Sequence, residues 1–136
     1  MVKPSHVGLA DRILKELERF GARIHTRHIE SVPRNVIQEH YAEHKEKSFF
    51  GYMTESFVGK AIVIAVYEGE GVVQKCSDAI GATDPAKATA DSIRARYSRD
   101  SLMQAINEKR PVQNAIHRSD SSEEAEREIN VWKQYL

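Results

Sequence analysis

A layer of a few β-strands with helices packed on it, in an α/β or α+β arrangement, is the fold class this sequence predicts. Three observations carry it. The run AIVIAV, Ala61 to Val66, is apolar without alternation, as a strand buried on both faces reads. Helical patterns lie on both sides of it in the chain. The length of 136 residues suits one domain with its own core, so residues 1–136 are read as a single unit.

Taken in order, VGLADRILKELERFGARI places Leu9, Ile13, Leu14, Leu17 and Phe20 on one helical face, with Gly21 as a stop. ARIHTRHIES then alternates, which predicts a strand with Ile24, Thr26 and His28 on one side. Ser31 is the expected cap of a helix that starts near Pro33 and runs through NVIQEHYAEHK, and SFFGYMTESFVG reads as a further short helix. KAIVIAVYEG is the clearest strand. GEGVVQKCSDAIG is helical and stops at Gly81, before the turn-like ATDPAKAT. ADSIRARYS is a weak helix, RDSLMQAINEKRPVQ an exposed polar connection with a turn of helix, VQNAIH a short strand, and SSEEAEREINVWKQYL the closing helix.

Charge and composition exclude several classes. Lysine plus arginine and aspartate plus glutamate each total 20, so no net attraction to nucleic acid or an anionic membrane is expected. A local basic pocket for a small anion fits that balance. Cys76 is the only cysteine, which excludes an internal disulfide and a four-cysteine metal site and suits a reducing, cytoplasmic setting. Cys76 itself reads as a small inert hydrophobe. The apolar runs are too short to span a bilayer, and no signal-peptide pattern opens the chain.

The stretch NAIHRSDSSEEAEREI, Asn114 to Ile129, sets a histidine between a short apolar run and a helix start. Ser121 and Glu124 have the spacing of a capping box, and a helix N-terminus offers free N–H groups and partial positive charge to an anion. An imidazole there attacks a phosphoryl group if a carboxylate fixes its tautomer and leaves one ring nitrogen free. Glu123, Glu124, Glu126 and Glu128 are all candidates for that carboxylate, and spacing alone does not choose among them. The blander reading, a strand end and a cap with no chemistry, stands beside it.

NAIHRSDSSEEAEREI resembles the active-site signature of nucleoside diphosphate kinases, Asn-x-x-His-Gly/Ala-Ser-Asp-Ser followed by a helix ending in Glu-Ile. VKP is similar to the family's opening Lys-Pro-Asp, HYAEHKEKSFF to its His-Tyr…Lys-Pro-Phe-Phe hairpin, IGATDP to its Gly-x-Thr-Asn/Asp-Pro turn, and SIRARY to its Thr-Ile-Arg-Gly-Asp-Phe segment. These segments occur in the family's order and cover nearly the whole chain, which makes chance similarity a poor explanation.

The resemblance implies an α+β, ferredoxin-like fold, a four-stranded antiparallel sheet with helices on one face. It implies transfer of the γ-phosphoryl of ATP or another nucleoside triphosphate to a diphosphate, with His117 as nucleophile. Glu128 matches the acceptor of Nε2–H, and Ser119 the residue that orients that glutamate. Arg94 and Thr83 match phosphate ligands, Lys3 and Asn114 residues near the ribose and phosphates, Tyr41 one beside the histidine, and His44 one near the distal phosphates. Phe49 matches the aromatic on which the base stacks, which tolerates any base because each has a π face. Mg²⁺ is implied as a companion of the nucleotide and not as a resident of a protein cage. Tetramers or hexamers are the implied assemblies. His40 and His44, at i and i+4, have a metal-pair spacing, but no third ligand is evident and the resemblance uses His44 without a metal.

Several positions depart from the family. Ser77 stands where most members carry a phosphate-binding arginine, and Arg118 stands where they carry glycine or alanine, so Arg118 is expected to replace part of the lost cation. An outward surface arginine is the competing reading. The segment between Arg94 and Asn114 is longer than in familiar members and is expected to cover the nucleotide or an oligomer contact. Ser5 and His6 replace the usual Asp-Gly. Members also have several strand residues before their lysine, and a strand shortened there would lose stability and mobilise Lys3. Ser77 and that opening favour a second reading, a nucleotide-binding or assembly module with weak or no transfer.

Overall fold

The structure, a computed structural model, describes all residues from Met1 to Leu136. Its sheet is built on two antiparallel strands, β1 (Ala22–Ile29) and β2 (Ile62–Glu68), in the register His28 to Val63 and Arg27 to Ile64, with an irregularity between Arg23 and His25. Beyond them, Val2 forms single bridges with Val63 and Ile116. The expected four-stranded sheet is thus present as two strands and two one-residue bridges. Pro4, with no N–H and a fixed φ, turns the chain after Lys3 into a 3₁₀ turn over Pro4–Leu9. On the other side, Ala115 has φ 68°, which breaks the extended run predicted for VQNAIH and leaves only Ile116 paired.

Seven α-helices surround this sheet: α1 (Ala10–Leu17), α2 (Arg34–His40), α3 (Phe50–Glu55), α4 (Val72–Ile80), α5 (Ile93–Tyr97), α6 (Leu102–Asn107) and α7 (Ser122–Trp132). Helix α1 buries Ile13, Leu14 and Leu17 as the periodicity predicts, but ends before Gly21. Gly21 has another purpose: a Cβ there would meet the Glu68 carbonyl oxygen at 2.7 Å, so glycine lets β1 and the end of β2 approach. Gly81 caps α4 with φ 91°. Pro33, not Ser31, occupies the N-cap of α2, with no side-chain cap bond. At α7 the Ser121 hydroxyl accepts from the Glu124 N–H at 3.1 Å, half of the predicted capping box. The Glu124 carboxylate instead takes the Arg127 guanidinium.

Strand β2 is covered on both faces, as its lack of alternation predicts, and this corrects the expectation of helices on one face only. Val63 joins Val2, Ile13, Leu14, Leu17, Ile80, Ile93 and Ile116 in one cluster, while Ile62 and Ile64 join Val36, Ile37, Tyr41, Phe57 and Trp132 in the other. Strand β1 behaves differently from its alternating sequence. Except for Ile29 it is not buried, and Ile24 is 47 % exposed, because β2 is the one element that packs broadly on it. No helix is long and apolar enough to cross a membrane.

The long connection is more ordered than its polar sequence suggests. Ser101 caps α6 at the Gln104 N–H, Asp100 forms a two-pronged pair with Arg110 at 2.6 and 2.8 Å, and the Asp84 carboxylate accepts from Leu102 N–H. These bonds pin this segment beside the Thr83–Asp84 turn.

Candidate active site

His117 follows the Ile116 bridge, and its backbone N–H donates to the Met1 carbonyl at 2.8 Å. Its side chain is mostly buried against α7. Nε2 donates to Glu128 Oε1 at 2.9 Å, and Ser119 Oγ donates to the other oxygen, Oε2, at 2.6 Å. Helix α7 gives Glu128 its position, with the Ser121 cap fixing where the helix begins. Since the carboxylate accepts at Nε2, the ring proton sits there and Nδ1 keeps its lone pair. Burial holds His117 well below the usual histidine range, and the Met1 amine, Lys3, Arg94 and Arg118 push the same way. A neutral imidazole with a free Nδ1 beside several cations is what attack on an anionic phosphoryl group requires.

Around it the predicted residues fall into three sets. Tyr41, 5 % exposed, packs its ring 5.4 Å from that of His117. From Tyr41 a row of rings leads outward, to His44 at 6.3 Å and from His44 to Phe49 at 5.5 Å. Asn114, fully buried, donates to the Thr83 carbonyl at 2.9 Å and keeps a buried Oδ1 without a partner, while Thr83 itself is exposed. Lys3 is half-buried, its ammonium held down at about 7 by burial and by Arg94, and it lines a cleft of about 310 Å³ with Ser5, Met53, Ser56, Lys60 and Pro111.

Arg94, matched above to a phosphate ligand, is held by backbone carbonyls. Its guanidinium is buried, and Nε and Nη2 donate to the Ile116 carbonyl at 3.2 and 2.7 Å while Nη1 donates to the Gly81 carbonyl at 3.0 Å. It therefore ties the residue before His117 to the C-cap of α4, leaving two of its five N–H groups free. Burial and the neighbouring Arg118 lower it to about 10. Arg118 is not an outward surface arginine: its side chain is 20 % exposed, paired through Nη1 with Asp120, and its Nε is buried without a partner.

Two side chains that touch the site were missed as members of it. His40 ends α2, is 3 % exposed, and packs its ring 4.5 Å from that of His117. Trp132 donates through Nε1 to His40 Nδ1 at 3.0 Å. The signal available in the sequence was the helical spacing of Val36, Ile37 and His40, which puts His40 on the buried face. His40 and His44 do not lie on one helix, since α2 stops at His40 and a separate 3₁₀ turn carries His44. Arg127 was also unforeseen; it donates to the Glu39 and His40 carbonyls and so clasps α7 to the C-terminus of α2.

The buried imidazoles have a consequence for stability. Burial places both His40 and His117 well below their unfolded range, so the unfolded chain takes up protons below about pH 6.5 that the native sites resist. Stability is expected to fall as pH drops from about 7 to about 5. Thermal midpoints across that range test this, and a midpoint that rises on acidification contradicts it.

A carboxylate-fixed histidine among cations suits nucleophilic attack on an anionic group, and relatives narrow the class of chemistry. A model of the family described as nucleoside diphosphate kinase matches residues 1–135. The chain is 36 % identical over 134 residues to a nucleoside diphosphate kinase of Frankia alni, covering 97 % of this chain and 90 % of that protein. With one from Gloeobacter violaceus it shares 37 % over 133 residues, covering 96 % and 83 %. The fold is similar to that of the nucleoside-diphosphate kinase from Borrelia burgdorferi solved as a transition-state mimic with vanadate and ADP, with a TM-score of 0.91, 23 % identity, and 99 % and 86 % of the two chains covered. The chain belongs to the nucleoside diphosphate kinase family.

Proposed function

We propose that this chain is an active nucleoside diphosphate kinase in which Nδ1 of His117 takes the γ-phosphoryl of ATP or another nucleoside triphosphate and passes it to a nucleoside diphosphate. The observation that carries this reading is the Ser119–Glu128–His117 chain of hydrogen bonds, which leaves Nδ1 as the free nitrogen. In the first half-reaction the Nδ1 lone pair attacks the γ-phosphorus, the bond to the β–γ bridging oxygen breaks, and the diphosphate leaves. In the second, an oxygen of the acceptor's terminal phosphate attacks phosphohistidine and Nδ1 recovers its lone pair.

The remaining residues take the roles that the family resemblance gives them. Lys3, Asn114 and the free N–H groups of Arg94 receive the ribose and phosphates, with the Thr83 hydroxyl at the exposed end. Tyr41 packs His117 in its attacking orientation. The ring row through His44 to Phe49 supports a base stacked on Phe49. Mg²⁺ would arrive with the nucleotide and would supply neutralisation of the phosphate charge when bound. The acids flanking His117 fit that arrangement, because Glu128 and Asp120 are already paired and offer no cage.

Arg118 takes over part of the work of the cation lost at Ser77. Its Nε is buried, and its guanidinium lies close enough to lower both His117 and Arg94, which supports this. Arg118→Ala is expected to slow phosphorylation of His117 by about tenfold to a hundredfold, less than a dedicated donor because Arg94 and Lys3 remain. An unchanged single-turnover rate would sink the idea.

A binding or assembly module without transfer is the weaker reading, since every member of the His117–Glu128–Ser119 set is in place. The working form is a cytoplasmic homo-oligomer, a tetramer or hexamer. The open edge of β1 and the exposed Leu102, Met103 and Ile106 on α6 support assembly. Steady-state kinetics with ATP and a non-adenine diphosphate test the kinase reading. Parallel double-reciprocal lines are expected, and no triphosphate product, or intersecting lines, would overturn it.

A further inference from the structure

The geometry points to His40 as a positioning residue for the phosphoryl-accepting histidine, locked by Trp132 in its neutral form with the proton on Nε2, so that Glu128 is left to His117 alone. The inference rests on the kinase reading for the consequence, not for the lock. An indole N–H only donates, and at 3.0 Å it meets Nδ1 of His40, which must therefore accept. A neutral imidazole carries one proton, so that proton is on Nε2. Protonating Nδ1 as well would set two donors against each other in a site where His40 is 3 % exposed.

The neighbours show why neutrality matters. From α7, Glu128, Arg127 and Trp132 face His40; from the segment after the Ile116 bridge, His117 does; Tyr41 follows it in the chain, and the Met1 amine adds a charge near by. A ring nitrogen of His40, one of His117 and a Glu128 oxygen lie within 4.8 Å of one another. An imidazolium at His40 would set a positive charge beside Glu128, and the stronger attraction would draw its carboxylate from His117 Nε2. His117 would then lose the bond that keeps Nδ1 unprotonated. The same lock argues against a cation in this cluster: the lone pair of His40 faces Trp132, and Nε2, the nitrogen left over, carries a proton. Desolvation by burial also disfavours the charged form of His40.

Nitrogen NMR of the wild-type protein reads the lock without turnover: Nδ1 of His40 is expected at the shift of an unprotonated nitrogen and Nε2 at that of a protonated one. The consequence is read from the rate of His117 phosphorylation against pH in Trp132→Phe and in Trp132→Phe combined with His40→Gln. The single variant is expected to gain an acid limb, falling about tenfold per pH unit below a midpoint in the ordinary histidine range, where the wild type is flat. The double variant is expected to lose that limb. A proton on Nδ1 in the wild type, a single variant with the wild-type profile, or a limb that survives in the double variant overturns the inference. If Trp132→Phe does not fold, the wild-type NMR result decides alone. Absence of phosphohistidine in the wild type would instead overturn the kinase reading and the positioning role with it, while the proton position still reports whether the lock exists.

Discussion

Replacing His117 by alanine is expected to abolish the phosphoenzyme and to lower transfer by at least about 10⁴-fold, because no second side chain near the site offers a free, neutral nitrogen. His40 does not substitute: its one lone pair accepts from Trp132. The Lys3 amine, at about 7, is the other candidate, but no carboxylate pairs with it to orient it. The variant should keep its fold. Ser119 still satisfies one oxygen of Glu128, and the loss of one buried hydrogen bond costs about 1–3 kcal/mol. A circular dichroism melt separates unfolding from loss of the nucleophile, and phosphohistidine recovered from the alanine variant would contradict the assignment.

Glu128→Ala is expected to have the next largest effect, a fall in phosphorylation rate of about 10²–10⁴-fold. The change leaves the Nε2–H of His117 and the Ser119 hydroxyl without their acceptor, so the imidazole is free to move its proton to Nδ1 and lose the attacking lone pair. Glu128→Gln discriminates orientation from charge. The amide oxygen still accepts from Nε2–H and the Ser119 hydroxyl can turn to accept from the amide nitrogen, so the tautomer survives without the negative charge. If orientation dominates, glutamine retains most of the rate that alanine loses. Equal losses in the two variants would show that the charge of Glu128, not the proton it places, is what His117 needs.

The parts of this molecule that were legible in the sequence are those set by local physics. Unalternating AIVIAV became a strand covered on both faces, Gly81 a helix stop, and Ser121 a helix cap. The motif NAIHRSDSSEEAEREI left four glutamates open by spacing, and the resemblance singled out Glu128, the one whose carboxylate meets His117. What was not legible depends on distant partners. Alternation in ARIHTRHIES does not tell an edge from a half-buried strand, because that depends on whether anything packs on it. That three N–H groups of Arg94 grip the carbonyls of Ile116 and Gly81 was hidden, because backbone acceptors leave no trace in a sequence. His40 and His44 share a face only if the helix continues, and it ends at His40. That termination turned one histidine inward to Trp132 and His117 and left the other among the outer rings.

The central claim is that Nδ1 of His117 carries the phosphoryl group between two nucleotides. Incubation of the intact protein with γ-labelled ATP, removal of free nucleotide, and a chase with a different nucleoside diphosphate tests it most directly. The account predicts an acid-labile label on His117 in the first step and its quantitative appearance in the new triphosphate in the second. A protein that takes no label, holds it on another residue, or gives it only to water would contradict the account.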